Sequence, residues 1–295
     1  MNTSENNKKN LLMYYIRRYA IFIFLFPALI LLIFLYLLPL LLLLIRSFYT
    51  YVPGTLHPKP IFTLENYLIT FRPVYLNAIG LTLRISVITT IFTVILSYPL
   101  SFYLVRSKSS FIKKFVMGFL ISSFFMQLLV RVYAFLHVYG DSGVINQMLG
   151  LFGLPTQSWI GGEWPVIVSM IHQGIPIAVL VQMGSIKNIN PEIEDAAKIL
   201  GASSAQTFFK IILPLSLPGF IASALLSFTG AASAFITPMI LGGGRLWMMA
   251  NYIYFRFTDT LNYPLAAAMS AVLLLLSLFV CYGINGVISR WVKIK

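Results

Sequence analysis

A chain of 295 residues that is 59% hydrophobic and only 10% charged is no ordinary soluble domain, where about a quarter of residues are charged. Its formal charge of +13 raises nucleic acid as a partner, but no basic groove or aromatic-interleaved basic patch accompanies it, so a lipid bilayer is expected and nucleic acid is not. One cysteine, Cys281, and three isolated histidines, His57, His137 and His172, supply no disulfide framework and no metal ligand set.

Residues 1–19 are polar and basic, with Lys8, Lys9, Arg17 and Arg18. The apolar run from Ala20 to Ile45 outlasts the 7–15 residues of a cleaved signal and predicts an uncleaved first span, with tilt or a kink at Pro27 or Pro39. A loop over 46–76 is broken by Pro53, Gly54, Pro58 and Pro60. The second span is expected from Asn77 to Val105, with Arg84 snorkelling outward. A basic turn follows with Arg106, Lys108, Lys113 and Lys114, then a third span from about Phe111 to Val130. Residues 131–163 read as a loop whose Val144, Ile145, Met148 and Leu149 predict a short helix lying on the outer membrane surface. The fourth span runs from about Trp164 to Met183.

Residues 190–214 are the most polar long stretch among the spans. Asn190 is a suitable N-cap, Pro191 suits the first helical position, and Glu192 and Glu194 favour the positive end of the helix dipole. Ile193, Ala196, Ala197 and Leu200 draw one apolar stripe, and Gly201 stands where a left-handed stop belongs. Ser203 and Gln206 form a capping box for a second helix, which Pro214 is expected to break. The result is a knob of two short helices.

The fifth span is expected between about Pro218 and Leu241, with Gly219, Ser223, Ser227 and Ala231 spaced by four so that helix backbones approach closely. Residues 242–261 read as a loop opening on Gly242, Gly243 and Gly244, and the sixth span runs from about Leu261 to Ile288. The fold class is all-α integral membrane, with six spans and a connecting loop at 184–213 between the fourth and fifth. The organisation is a tail over 1–19, one membrane domain over 20–289 and a tail over 290–295. The N-terminus, the turn at 106–114, the loop at 184–213 and the C-terminus carry four, four, three and three of the 21 Lys and Arg residues. That places those segments and both termini in the cytoplasm.

The same stretch resembles the permease subunits of ATP-binding-cassette importers. Their cytoplasmic signature is Glu-Ala-Ala, three residues, Gly, nine residues, Ile, any residue, Leu-Pro. Asp195, Ala196, Ala197, Gly201, Ile211, Leu213 and Pro214 stand at those spacings, with Asp in place of the first Glu. The resemblance implies that the first short helix is a coupling helix that docks in a cleft of the ATPase subunit. Ile193, Ala196, Ala197 and Leu200 would fill the cleft, and Glu194 and Asp195 would bond at its rim. It also implies partners: two ATPase copies, a second related permease, and a periplasmic or lipid-anchored solute-binding protein in a bacterial inner membrane.

Phe62 to Tyr67, Val130 to Ala134, Gly143 to Gln147, Leu241 to Gly243 and Leu261 to Pro264 look like stretches of spermidine/putrescine-type permeases. A polyamine is therefore the expected solute, with an opine, a phosphonate or an amino-acid-like solute as the alternative. Gln127, Arg131, Tyr133 and Gln173 are candidates to line its path, with Gln182 as a further one, and each of the three glutamines reads alternatively as a helix–helix hydrogen bond. Arg131 reads either as a snorkelling anchor at the outer end of the third span or as an outer-gate residue that pairs with a partner's acid. No phosphate-binding loop of the Gly-x4-Gly-Lys-Ser/Thr form is present. No cofactor is expected in this chain: ATP is used by the partner, and the chain itself is not expected to be an enzyme. An ion-gradient-driven secondary transporter, which calls for intramembrane carboxylates, is the remaining alternative.

Overall fold

A computed structural model describes residues 25–54 and 58–291; the basic tail over 1–19, the start of the first span at 20–24, His57 and residues 292–295 lie outside the described residues. Among the described residues five helices are long and apolar enough to cross a membrane, and a pair bent by 66° makes a sixth if counted as one span.

The first of these, α1 (Leu25–Arg46), is exposed along nearly its whole length, as an all-round apolar helix facing lipid would be. It widens into a π turn at Ile33–Leu37, directly before Pro39. Proline cannot donate to the preceding turn, and a wide turn accommodates that lost bond.

The loop over 46–76 contains structure. A two-stranded antiparallel ribbon joins β1 (Tyr49–Thr50) to β2 (Lys59–Phe62), and α2 (Glu65–Thr70) folds back on it. Phe48 stacks on Phe62 with ring centroids 5.1 Å apart, while buried Asn66 donates to the carbonyls of Ser47 and Tyr49, both at 2.9 Å.

The body is a packed trio of α3 (Pro73–Arg106), α7 (Glu163–Lys187) and α10 (Leu217–Ala232). Gly219 of α10 lies so close to α7 that an added Cβ would stand 2.4 Å from the Ser185 Cβ, and a Cβ on Gly174 would meet Thr93 of α3 at 2.9 Å. Small residues let these backbones touch. Of the row read from the sequence, Gly219, Ser223 and Ala231 are buried in the trio.

The third span departs from expectation. α4 (Ser110–Phe125) ends at mid-segment, Met126 and Gln127 are extended, and α5 (Leu128–Tyr139) continues through what the sequence suggests is loop. No Pro or Gly marks the break. The Arg131 guanidinium, only 4% exposed, donates instead to the carbonyls of Ser123 and Met126 that the break leaves open. A buried charge bonded to carbonyls replaces the turn residue that usually stops a helix.

α6 (Val144–Leu151) forms where its apolar pairs predict a short helix. α11 (Ile236–Leu241) follows a break at 233–235 inside the expected fifth span. The loop at 242–261 contains α12 (Met249–Thr258), whose Asn251 side chain accepts from the Met248 N–H at 3.1 Å and donates to the Phe235 carbonyl at 2.8 Å. The last helix, α13 (Tyr263–Trp291), packs Leu265 and Met269 against Met249 and Tyr75.

Candidate functional site: an external knob and a polar interior

The knob forms by local rules. In α8 (Pro191–Ile199) the Asn190 side chain accepts from the Glu192 N–H at 3.1 Å, and Pro191 opens the helix. Gly201 adopts φ +82°; its N–H reaches the Lys198 carbonyl and the Ala202 N–H the Ala197 carbonyl, both at 3.0 Å. This paired stop satisfies carbonyls that the helix end would otherwise leave open. The second helix, α9 (Ser204–Leu215), starts on the reciprocal capping box: Gln206 N–H to Ser203 Oγ at 3.2 Å, and Ser203 N–H to Gln206 Oε1 at 2.9 Å.

Pro214 does not break this helix. A π turn at Phe208–Ile212 absorbs the bond that proline cannot make, and the chain bends two residues later, at Ser216. That elbow is fastened on two sides. The Tyr98 hydroxyl of α3 bonds Ser216 Oγ, and Ser185 Oγ of α7 donates to the Ser216 carbonyl at 3.2 Å. The Tyr98 ring sits edge-on to both Phe208 and Phe220, on either side of the bend.

The expected docking stripe divides. Ala197 is 6% exposed and turned inward, so it is not part of an outer face, whereas Ala196 is exposed, Ile193 is 41% exposed and Leu200 86%. Ile199, absent from the sequence-based stripe, matches Leu200 at 86%. Of the signature's tail, Ile211, Leu213 and Pro214 are half-buried, and the fully buried residue is Ile212, the position the signature leaves open.

The two acids also divide. Glu194 is committed within the chain: the Arg106 Nε of α3 donates to its carboxylate at 2.6 Å, and both side chains are largely buried. It is therefore not a rim residue for a partner. Asp195 stays exposed and accepts from Lys198 at 2.9 Å; that hydrogen bond, reinforced by the charge, holds the Lys198 ammonium above its ordinary pKa.

Within the helical body, Gln182 makes the helix–helix hydrogen bonds. Its amide oxygen accepts from Ser97 at 3.0 Å and Ser101 at 3.1 Å, and its nitrogen donates to the Val94 carbonyl and to Ser223 Oγ of α10. Gln173 lines a small cavity of about 80 Å³ with Thr89, Thr93, Gly174 and Ser227. Gln127 and Tyr133 are exposed at the α4–α5 break. Arg131 is buried there as the cap described above, which contradicts its reading as a snorkelling anchor. Arg84 does not simply snorkel either, since it pairs with Glu163 at the start of α7. Among the described residues no group of three His, Cys, Asp or Glu is arranged to hold a metal.

Span-length helices packed over buried polar residues, with a capped two-helix knob on one connection, define a polytopic membrane protein. A solved bacterial ABC transporter that imports the acidic polysaccharide alginate has a chain of the same fold, with a TM-score of 0.78 over 95% of this chain and 98% of that one at 20% identity. The MetNI methionine ABC transporter matches at a TM-score of 0.52 over 74% of this chain and 94% of that one, at 16% identity.

The model of the binding-protein-dependent transport system inner membrane component family matches residues 3–294, and the chain belongs to that family. Among curated relatives, the spermidine/putrescine transport system permease protein PotB of Haemophilus influenzae is 31% identical over 255 residues, covering 84% of this chain and 88% of the relative. PotB of Escherichia coli K12 is 29% identical over 218 residues, 73% of this chain and 78% of the relative. The E. coli inner membrane ABC transporter permease YdcU is 27% identical over 251 residues, 80% of each chain. The protein is the permease subunit of a binding-protein-dependent ABC importer, a multi-pass inner-membrane protein and not itself an enzyme.

Proposed function

We propose that this permease moves a polyamine of the spermidine/putrescine type across the inner membrane, with six spans and both termini in the cytoplasm. It forms half of a pore whose other half is a second, related permease. Two ATPase copies and an external solute-binding protein complete the machine, and ATP is consumed by the ATPase, with no cofactor in this chain. The similarity to PotB proteins supports the solute class.

The observation that carries the coupling role is the tip of the knob. Ile199 and Leu200 are the most exposed large apolar residues of the loop, at the end of a helix that is capped at both termini. A stiff helix end with an uncovered apolar tip is suited to a groove on a partner. Asp195 and Lys198 flank the tip with exposed charge, while Ala196, Ala197, Gly201, Ile211, Leu213 and Pro214 set its shape and anchor it. ATP binding closes the ATPase pair, displaces the two coupling helices and switches the pore from inward- to outward-facing by rigid-body motion. Gln127, Tyr133 and Gln173 remain the residues proposed to line the path, and Arg131 acts behind it as a cap.

The test is reconstitution of the full complex in proteoliposomes, with radiolabelled spermidine as probe. ATP-dependent uptake is expected, together with a cross-link from a Leu200→Cys variant to the ATPase. Uptake that persists without ATP and collapses with an ionophore would return the ion-gradient alternative. A Leu200→Cys variant that never captures the ATPase removes the docking role.

A further inference from the structure

α3 ends at Arg106, and that one side chain makes two contacts with the knob. Its Nε donates to the Glu194 carboxylate at 2.6 Å, and its Nη2 donates to the Ile189 carbonyl at 2.9 Å. Ile189 precedes the cap residue Asn190, and Glu194 lies in the first turn of α8. A single planar fork therefore grips α8 on both sides of its cap. Both side chains of the pair are less than a fifth exposed, so the contact is shielded from the salt and water that weaken surface pairs. Bidentate geometry of this kind fixes orientation as well as distance, which the single ammonium of a lysine cannot do. The other ion pair of the knob, Asp195–Lys198, is local to α8 and exposed; it holds nothing else in place.

The second short helix has its own fastening to the same long helix, through Tyr98 and Ser216. Tyr98 and Arg106 stand eight residues apart on α3, about two turns. Both halves of the knob are thus attached to one helix that runs through the packed trio.

We infer that Arg106 is a positioning residue: with Glu194 and the Ile189 carbonyl it latches the coupling helix to α3, so that displacement of the knob is delivered to α3 rather than lost at the loop joining α7 to α8. This rests on the proposal that the knob docks on the ATPase, and it concerns what lies behind the docking face. Arg106 touches neither solute nor ATP. Its removal leaves the apolar tip, the caps and the Gly201 turn intact.

The test uses the full-length chain with Cys281→Ser, spin-labelled at Lys108→Cys beyond the end of α3 and at Leu200→Cys on the knob, and reads the distance distribution by pulsed electron resonance. A single narrow distribution is expected for Arg106, an intermediate width for Arg106→Lys, and at least a doubling of the width for Arg106→Ala and for Glu194→Ala. The same Arg106 variants without labels, reconstituted in the complete importer, are expected to hydrolyse ATP at the parental rate or faster while spermidine taken up per ATP falls at least fivefold in Arg106→Ala. A narrow distribution in both alanine variants overturns the latch. A broadened one with unchanged uptake per ATP overturns its role in transmission. The distances need no ATPase, so they judge the latch even if cross-linking from Leu200→Cys were to remove the docking proposal.

Discussion

Gly201 holds φ +82° with nothing within 4 Å of where a Cβ would stand, so a substitution there acts through backbone strain and not through a clash. A β-branched residue in the left-handed region costs about 1–2 kcal/mol, enough to reaim α8 without unfolding the distant membrane helices. Gly201→Val is expected to reach the membrane at parental abundance while uptake per ATP hydrolysed falls; equal uptake and hydrolysis in variant and parent would refute the role. Gly219 presents the opposite case. Its Cβ position is 2.4 Å from the Ser185 Cβ, and overpacking of that kind costs roughly 1–3 kcal/mol. Gly219→Ala is expected to lower the thermal midpoint of the purified protein, and Ser185→Gly in the same chain to restore part of it, since that change also removes the Ser185–Ser216 hydrogen bond. Non-additivity of the two changes is the quantity to measure.

At the scale of elements, the break between α4 and α5 is the instructive case. Arg131 bonds the Ser123 and Met126 carbonyls, and leaving such buried acceptors open costs about 1–3 kcal/mol each. Arg131→Leu is expected to destabilise the purified protein clearly more than Arg131→Lys, which retains a charged donor group; equal melting of the two variants would show that the guanidinium does not hold the break. The knob was legible in the sequence because every signal that builds it is local: Asn190, Pro191, Gly201, Ser203 and Gln206 each act within five residues of chain. The α4–α5 break was not, because its cause is a side chain bonding backward across the gap from the next helix. Helix α12 was hidden for a related reason, since Asn251 caps it with help from the Phe235 carbonyl. The share of the signature that is packing and the share that is exposed were equally invisible: one stripe of four residues does not tell that Ala197 turns in and Ile199 turns out.

For the molecule as a whole, the charge distribution proposes one side for the knob and the other for the α6 tip. A membrane-impermeant thiol reagent applied to sealed inside-out vesicles is expected to label Leu200→Cys, and applied to right-side-out spheroplasts to label Phe152→Cys, both in a Cys281→Ser background. Leu200 and Phe152 are 86% and 81% exposed in the isolated chain, so with the permease expressed without its partners access is governed by the bilayer and not by packing. The reverse pattern would invert the topology and end the coupling proposal with it.

α3 has 34 residues and so spans about 51 Å, against a hydrocarbon layer of about 30 Å. Standing upright, roughly two-fifths of it lies in headgroups or water, and tilt reduces that share. Membranes of different acyl-chain length then slide along this helix without uncovering or burying Arg106 at its tip. The importer should consequently keep its throughput across lipids whose thickness would disable a protein with spans cut to fit, and the lipid preference that remains is expected to reflect α1, whose apolar side chains are exposed along nearly its whole length.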